Sequence, residues 1–190
     1  MASSNVSQFL QKIGQGVKPN MFLIDINFPQ SIALQTEDQQ LTNILCKSAA
    51  LPGSNLGVIE VPFRGRTVKI AGDRTFDTWT ATFFNDKDFK LRSFFEQWAN
   101  SINTHEGNTS PLFTPNNSDG YMADLGVKQL EKDSSEEGSI LRAYSLRYCF
   151  PTNVSQIDLS YDNGDQIEEF TVEFQVNSWN RGELSEPDEE

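Results

Sequence analysis

Lys69-Ile70-Ala71-Gly72-Asp73-Arg74-Thr75-Phe76-Asp77-Thr78-Trp79 places a strand end, a turn signal and a new strand within eleven residues. Gly72 takes a positive φ at no steric cost, and Asp73 can bond its own backbone two residues on. The pair therefore predicts a tight reversal after the strand carrying Val68 and Ile70. Arg74 lies between Asp73 and Asp77, and its planar fork can hold carboxylates or carbonyls on either side. Gly72, Asp73, Arg74 and Asp77 are accordingly read as a structural turn, a clamp rather than a catalytic pair.

Upstream of this stretch, Val6, Phe9, Leu10 and Ile13 fall at i, i+3, i+4 and i+7 and are followed by Gly14 and Gly16. That spacing predicts a short amphipathic helix, too short to stand alone in water, so residues 1–18 are expected to form a helix and arm. After Pro19, Phe22, Ile24, Ile26 and Phe28 alternate with Met21, Leu23, Asp25 and Asn27, the pattern of a strand with one apolar face. Residues 29–40 are polar and predict a loop or twisted hairpin. An extended pattern resumes from Ile44 to Ala50, Leu51-Pro52-Gly53-Ser54 signals a turn, and Val58 to Phe63 reads as a strand. Pro62 within it removes a ladder donor, so this strand lies at an edge or projects beyond the sheet. The excursion over residues 47–66 is thus a long arm carrying Leu51, Pro52, Leu56, Val58 and Ile59. Such an arm either meets another chain or folds back on its own core.

Downstream, a strand runs from Thr75 to Phe84, with Thr78, Thr80 and Thr82 on one face and Trp79, Ala81 and Phe83 on the other. Asn85 or Asp86 can cap a helix over residues 86–102, where Leu91, Phe94, Phe95, Trp98 and Ile102 form one stripe. An aromatic stripe of this kind is a core face, the lid on a sheet. Residues 103–120 are polar and hold the single histidine, His105, with no nucleophile signature around it. Met122 to Leu130 is a further strand, Glu131 to Glu137 an acidic turn, and Ile140 to Phe150 a strand with Tyr144, Leu146, Tyr148 and Phe150 in register, ended by Pro151-Thr152-Asn153. Gln156 to Tyr161, a turn at Asp162-Asn163-Gly164 and Gln166 to Trp179 read as a closing hairpin. Phe170, Val172, Phe174 and Val176 share one face of its last strand, and Glu169, Thr171, Glu173, Gln175 and Asn177 the other.

Composition bounds the class. The chain has 190 residues, enough for one domain with a substantial core, and fourteen Phe against three Met favour strands over a helical bundle. The net charge is −12, and the five acids of residues 183–190 still leave −7 on the remainder. An acidic surface of this kind repels nucleic acid and anionic membranes. Residues 181–190 are too polar to fold alone and are expected to be a disordered tail. Cys46 and Cys149 lack metal-ligand spacing and read as buried thiols, with a disulfide between them left open. There is no apolar run near the ~20 residues of a membrane span and no basic-then-apolar amino terminus. The expected fold is mainly β: two packed antiparallel sheets or a half-open barrel with one main helix, residues 19–180 forming the domain.

Three motifs then connect the chain to a family. Cys46-Lys47-Ser48-Ala49-Ala50-Leu51-Pro52, Ala71-Gly72-Asp73-Arg74-Thr75-Phe76-Asp77 and Phe150-Pro151-Thr152-Asn153-Val154 are flanked by Pro19-Asn20-Met21-Phe22 and by Phe170 to Trp179. In this order they resemble the tail tube proteins of contractile-tailed bacteriophages. The resemblance implies a structural virion protein, not an enzyme, with no cofactor. It would be assembled in the host cytoplasm into hexameric rings stacked inside a contractile sheath. It implies as partners the sheath protein, the baseplate tube and the tail terminator, with DNA passing the bore without specific binding. The family's stacking loop corresponds to the arm, which favours an interface for Leu51, Pro52, Leu56, Val58 and Ile59. Glu169, Thr171 and Glu173 become candidates for the bore lining. Alternative readings are a baseplate tube initiator, a tail terminator, a type VI secretion tube protein, or a stand-alone β-sandwich module or enzyme. Among the last, Asp73 and Asp77 could serve acid-base work only against the pull of Arg74, which favours their charged forms.

Overall fold

The computed structural model describes residues 2–14, 16–29, 32, 41–112, 115, 120–131, 140–162 and 164–182. In chain order these form α1 (Ala2–Ile13), β1 (Phe22–Ile26), β2 (Cys46–Ala49), β3 (Ser54–Phe63), β4 (Arg66–Phe76), β5 (Trp79–Phe84), α2 (Lys90–Ile102), β6 (Ala123–Leu130), β7 (Ile140–Val154), β8 (Glu169–Gln175) and β9 (Ser178–Arg181). The expected loop over 29–40, the acidic turn after Glu131 and the tail from 183 onward lie largely or wholly outside the described residues.

Seven strands make one antiparallel sheet in the order β1-β6-β7-β8-β5-β2, with β9 also on β7, while β3 and β4 form a separate two-stranded ribbon. The fold is mainly β with two halves, β1-β6-β7-β9 and β7-β8-β5-β2, sharing the fifteen-residue β7. Period-two alternation drives the core. Trp79, Ala81 and Phe83 of β5 and Phe170, Val172 and Phe174 of β8 are buried together with Ile24, Ile26, Leu125 and Val127 from the other half. The stripe of α2 closes this core. Phe95 lies with its ring 5.3 Å from Phe83, 6.2 Å from Phe170 and 5.9 Å from Phe174, and Phe28 meets Phe94, Phe95 and Trp98. Edge and tilted ring contacts of this kind add to area burial.

The helix begins at Lys90, four residues later than expected, because Phe89 adopts the left-handed conformation (φ 54°). Asp86 still caps it from a distance, its carboxylate accepting from the Lys90 and Leu91 amides. Ile44 belongs to a helical turn at 41–44, so the strand starts at Cys46 rather than Ile44. Pro151-Thr152-Asn153 does not end β7. The strand runs on to Val154 and pairs with β8, and the proline sits at a register shift, where a missing donor is tolerated. Tyr148 leaves the expected face: its φ of 55° breaks the alternation, so Leu146 and Cys149 are buried while Tyr148 is exposed.

The closing hairpin is corrected most. Residues 155–160 form no strand, although Asp162 and Gly164 do lie in turns; Asn163 itself is outside the described residues. Both flanks of β8 are already taken, one by β5 and the other by β7, so residues 156–161 have no ladder to join. The last strand is interrupted at 176–177 and resumes as β9, which keeps the register of β8 against β7. Arg181, placed in the tail by composition, is the final residue of β9 and pairs with Tyr144. Cys46 and Cys149 are free thiols. Burial pushes the Cys149 thiol up to about 12, helped by the Asp124 carboxylate and opposed by a backbone hydrogen bond at Leu125. Burial also pushes Cys46 up to about 11, against a backbone hydrogen bond at Ser48.

Candidate functional site

The reversal expected at Gly72-Asp73 lies elsewhere. β3 and β4 are joined by Arg64-Gly65, both at positive φ (48° and 76°), the two-residue geometry that suits the twist of a hairpin. Gly72 and Asp73 are inside β4, where the pairing shifts register between Leu56 and Val58. Gly57 faces them, and a Cβ on Gly72 would lie 3.2 Å from the Gly57 carbonyl carbon and oxygen. The glycine therefore serves a close backbone approach at a bulge, not a turn. Arg74 donates to Ser54 Oγ at 3.1 Å, and Asp77 accepts from Asn55 Nδ2 at 2.8 Å. These residues tie β3 to β4 at the base of the arm instead of holding one another.

Two indoles fix that base to the body. Trp79 Nε1 donates to the Ala50 carbonyl at 2.6 Å, and Trp179 Nε1 to the Gly53 carbonyl at 2.8 Å. Leu51 and Pro52 lie between these two anchors, and Phe76 meets the Trp179 ring edge-on. Beyond the bulge the arm is two-sided. Opposed pairs place Ile59 with Ile70, Val61 with Val68 and Phe63 with Arg66 on one face. Val58 with Ala71, Glu60 with Lys69 and Pro62 with Thr67 occupy the other, where Lys69 and Glu60 bridge at 3.3 Å. Ile59, Val61, Phe63, Val68 and Ile70 are 42–60% exposed. Leu56 and Val58 are exposed as well, but on the face of the Glu60–Lys69 pair, opposite Ile59. The return strand, with Val68 and Ile70, was missed as part of the arm; the signal was Gly65 set between two alternating apolar runs.

A second surface is the uncovered face of β8 and β5. Glu169, Thr171 and Glu173 point away from the core, opposite Phe84, Thr82 and Thr80. Lys47 Nζ binds Glu169 at 2.6 Å, and the hydroxyls of Thr82 and Thr171 are 3.1 Å apart. Among the described residues no ion pair involves Glu173. No group of three His, Cys, Asp or Glu side chains is placed to hold a metal among them either. His105 is exposed in the loop after α2.

Residues 17–182 match the family of phage tail tube proteins. The chain is 30% identical over 167 residues to the tail tube protein gp19 of Enterobacteria phage T4, covering 87% of this chain and 92% of that one. It is 26% identical over 174 residues to the tail tube protein of Serratia phage KSP90, covering 91% and 93%. Solved structures share the fold at low identity. The sheath-tube complex of the extracellular contractile injection system PVC in its extended state aligns with a TM-score of 0.61 at 13% identity, over 92% of this chain and 97% of that one. The baseplate of the anti-feeding prophage aligns at 0.60 with 12% identity, over 87% and 94%. The sequence match spans the sheet, the arm and α2 together, and on that extent the chain belongs to the phage tail tube protein family.

Proposed function

We propose that this chain polymerises into hexameric rings stacked head to tail, the inner tube of a contractile tail through which the genome leaves the virion. The observation that carries the reading is the arm: five apolar side chains on one face, exposed in the single chain. A two-stranded ribbon with such a face is stable only when something covers it. In an open stack the cover is the next ring, since a head-to-tail contact that does not close on itself propagates. Residues 19–180 form the tube unit in this reading, assembled in the host cytoplasm. Family membership supports tail sheath, baseplate tube and tail terminator proteins as partners; related structures are a sheath-tube complex, a baseplate and a sheath/tube terminator.

The β8–β5 face is assigned to the bore. Lys47 neutralises Glu169, the Thr82–Thr171 pair satisfies itself, and Glu173 leaves a net negative charge. Phosphates meeting such a wall find few grips, and repulsion screened over about 8 Å at physiological salt discourages adhesion without blocking passage. Electron microscopy and sedimentation of the purified chain test the assembly. Rings or hollow tubes of uniform bore are expected, and a strict monomer at every concentration and salt would overturn it. For the bore, Glu173→Lys is expected to slow genome delivery by assembled tails, and unchanged delivery would place that face outside.

A further inference from the structure

α1 presents Val6, Phe9, Leu10 and Ile13 as a stripe that is 48–60% exposed. It precedes residues 17–182, so the family match does not cover it. At twelve residues, about 18 Å long, it is marginal in water unless its stripe is covered.

The other half of the contact lies across the sheet. The segment after β7 leaves Leu159 80% and Ile167 70% exposed, and with Phe84 and Ile157 these line a groove of about 830 Å³. Asp158, Asp165 and Glu168 also line it, and its Glu169 is already matched by Lys47. The groove thus sets four apolar side chains within a polar, net-negative lining. The first twenty residues have the opposite character: Lys12 and Lys18 with no acid, in a chain of net charge −12. α1 leads into β1 at one end of the strand order, while Lys47 of the groove belongs to β2 at the other end. Copies set edge to edge would bring the helix of one beside the groove of the next.

We infer that α1 of one copy seats its apolar stripe on the Ile157, Leu159 and Ile167 side of a neighbouring copy's groove, with Lys12 beside Asp158 and Asp165, which leaves the Glu169–Glu173 face of β8 open to the bore. Helix-in-groove docking of this kind uses the i, i+3, i+4, i+7 anchors that α1 displays. The inference rests on the ring reading, because it needs the neighbour that a ring supplies.

Oxidation of the full chain carrying Phe9→Cys and Ile167→Cys tests it, with each single variant as control. Both positions are exposed in the single chain, so folding is spared, and circular dichroism checks this. The expected result is a reducible ladder of dimers and larger species from the double variant alone. Adding Leu10→Asp is expected to slow its formation at least about tenfold. A monomer with only an internal bond would overturn the inference, as would a ladder forming equally fast with Leu10→Asp. Tubes without a ladder would overturn it while leaving the ring reading intact. A chain that neither polymerises nor cross-links would overturn both.

Discussion

Replacing Ile59 by Asp is expected to block polymerisation while leaving the subunit folded. Ile59 is 52% exposed and opposed by Ile70, itself 51% exposed. Full burial of an aliphatic side chain stabilises by roughly 1.5–3 kcal/mol, so covering the remaining half at a subunit contact contributes about 1 kcal/mol. A carboxylate held in the same contact without a partner costs about 2 kcal/mol or more. The combined loss of about 3 kcal/mol per contact corresponds to about a hundredfold rise in the concentration needed for tubes. Sedimentation across a concentration series reads this directly. Thermal unfolding of the single subunit is expected to shift by only about 1 kcal/mol, the worth of the half of the side chain already covered within the ribbon. Glu60→Ala on the opposite face is the control: its bridge to Lys69 is between two exposed groups, and tubes are expected near the original concentration. Tubes from Ile59→Asp at the original concentration, or equal damage from both substitutions, would refute the assignment of the apolar face.

Phe95→Ala removes the ring that joins α2 to both β5 and β8 and is expected to destabilise the subunit by about 3–5 kcal/mol, measured by urea unfolding. Trp179→Phe keeps an aromatic ring but loses the bond to the Gly53 carbonyl, so amide exchange in residues 54–76 is expected to quicken while the exchange of β8 stays unchanged. The Cys149 thiol, raised from 9.0 to about 12 by burial, keeps its proton in the folded chain after the unfolded chain has lost it. Its contribution to stability is therefore full below pH 9 and falls as pH rises from there toward 12. Unfolding midpoints at stepped alkaline pH are expected to decline less steeply in Cys149→Ala than in the parent, and equal slopes would exclude the thiol as a source.

What could be read from the sequence was whatever alternates or repeats. β8, with Phe170, Val172 and Phe174 inward, and the α2 stripe through Phe95 and Trp98 lie where their periodicity puts them, because burial acts on whole faces. Single-residue signals misled. Gly72 permits a turn, but glycine also permits close approach, and only the position of Gly57 opposite it decides between the two. Asn163-Gly164 suggested a hairpin, yet a hairpin needs a free strand edge, and β8 has none to offer residues 156–161. The arm's exposed residues were named in part, Ile59 among them. The division of the ribbon into an apolar and a polar face depends on the true turn at Arg64-Gly65, which sets which residues oppose one another.

The strand order also bears on how a newly made chain behaves. Ile59 meets Ile70 by closing a short local loop, whereas Phe22 finds Gln129 only after more than a hundred intervening residues have been made. Contacts of such different sequence separation form on very different timescales, the local ones first. The apolar ribbon is therefore available to other chains throughout the slow closure of the body, an invitation to aggregate during synthesis. Pro62, Arg64 and Arg66 cluster at its tip, and Glu60 and Lys69 flank it. Charges and a proline in those positions interrupt amyloid-like pairing, so the exposed ribbon is guarded against sticking to other nascent chains.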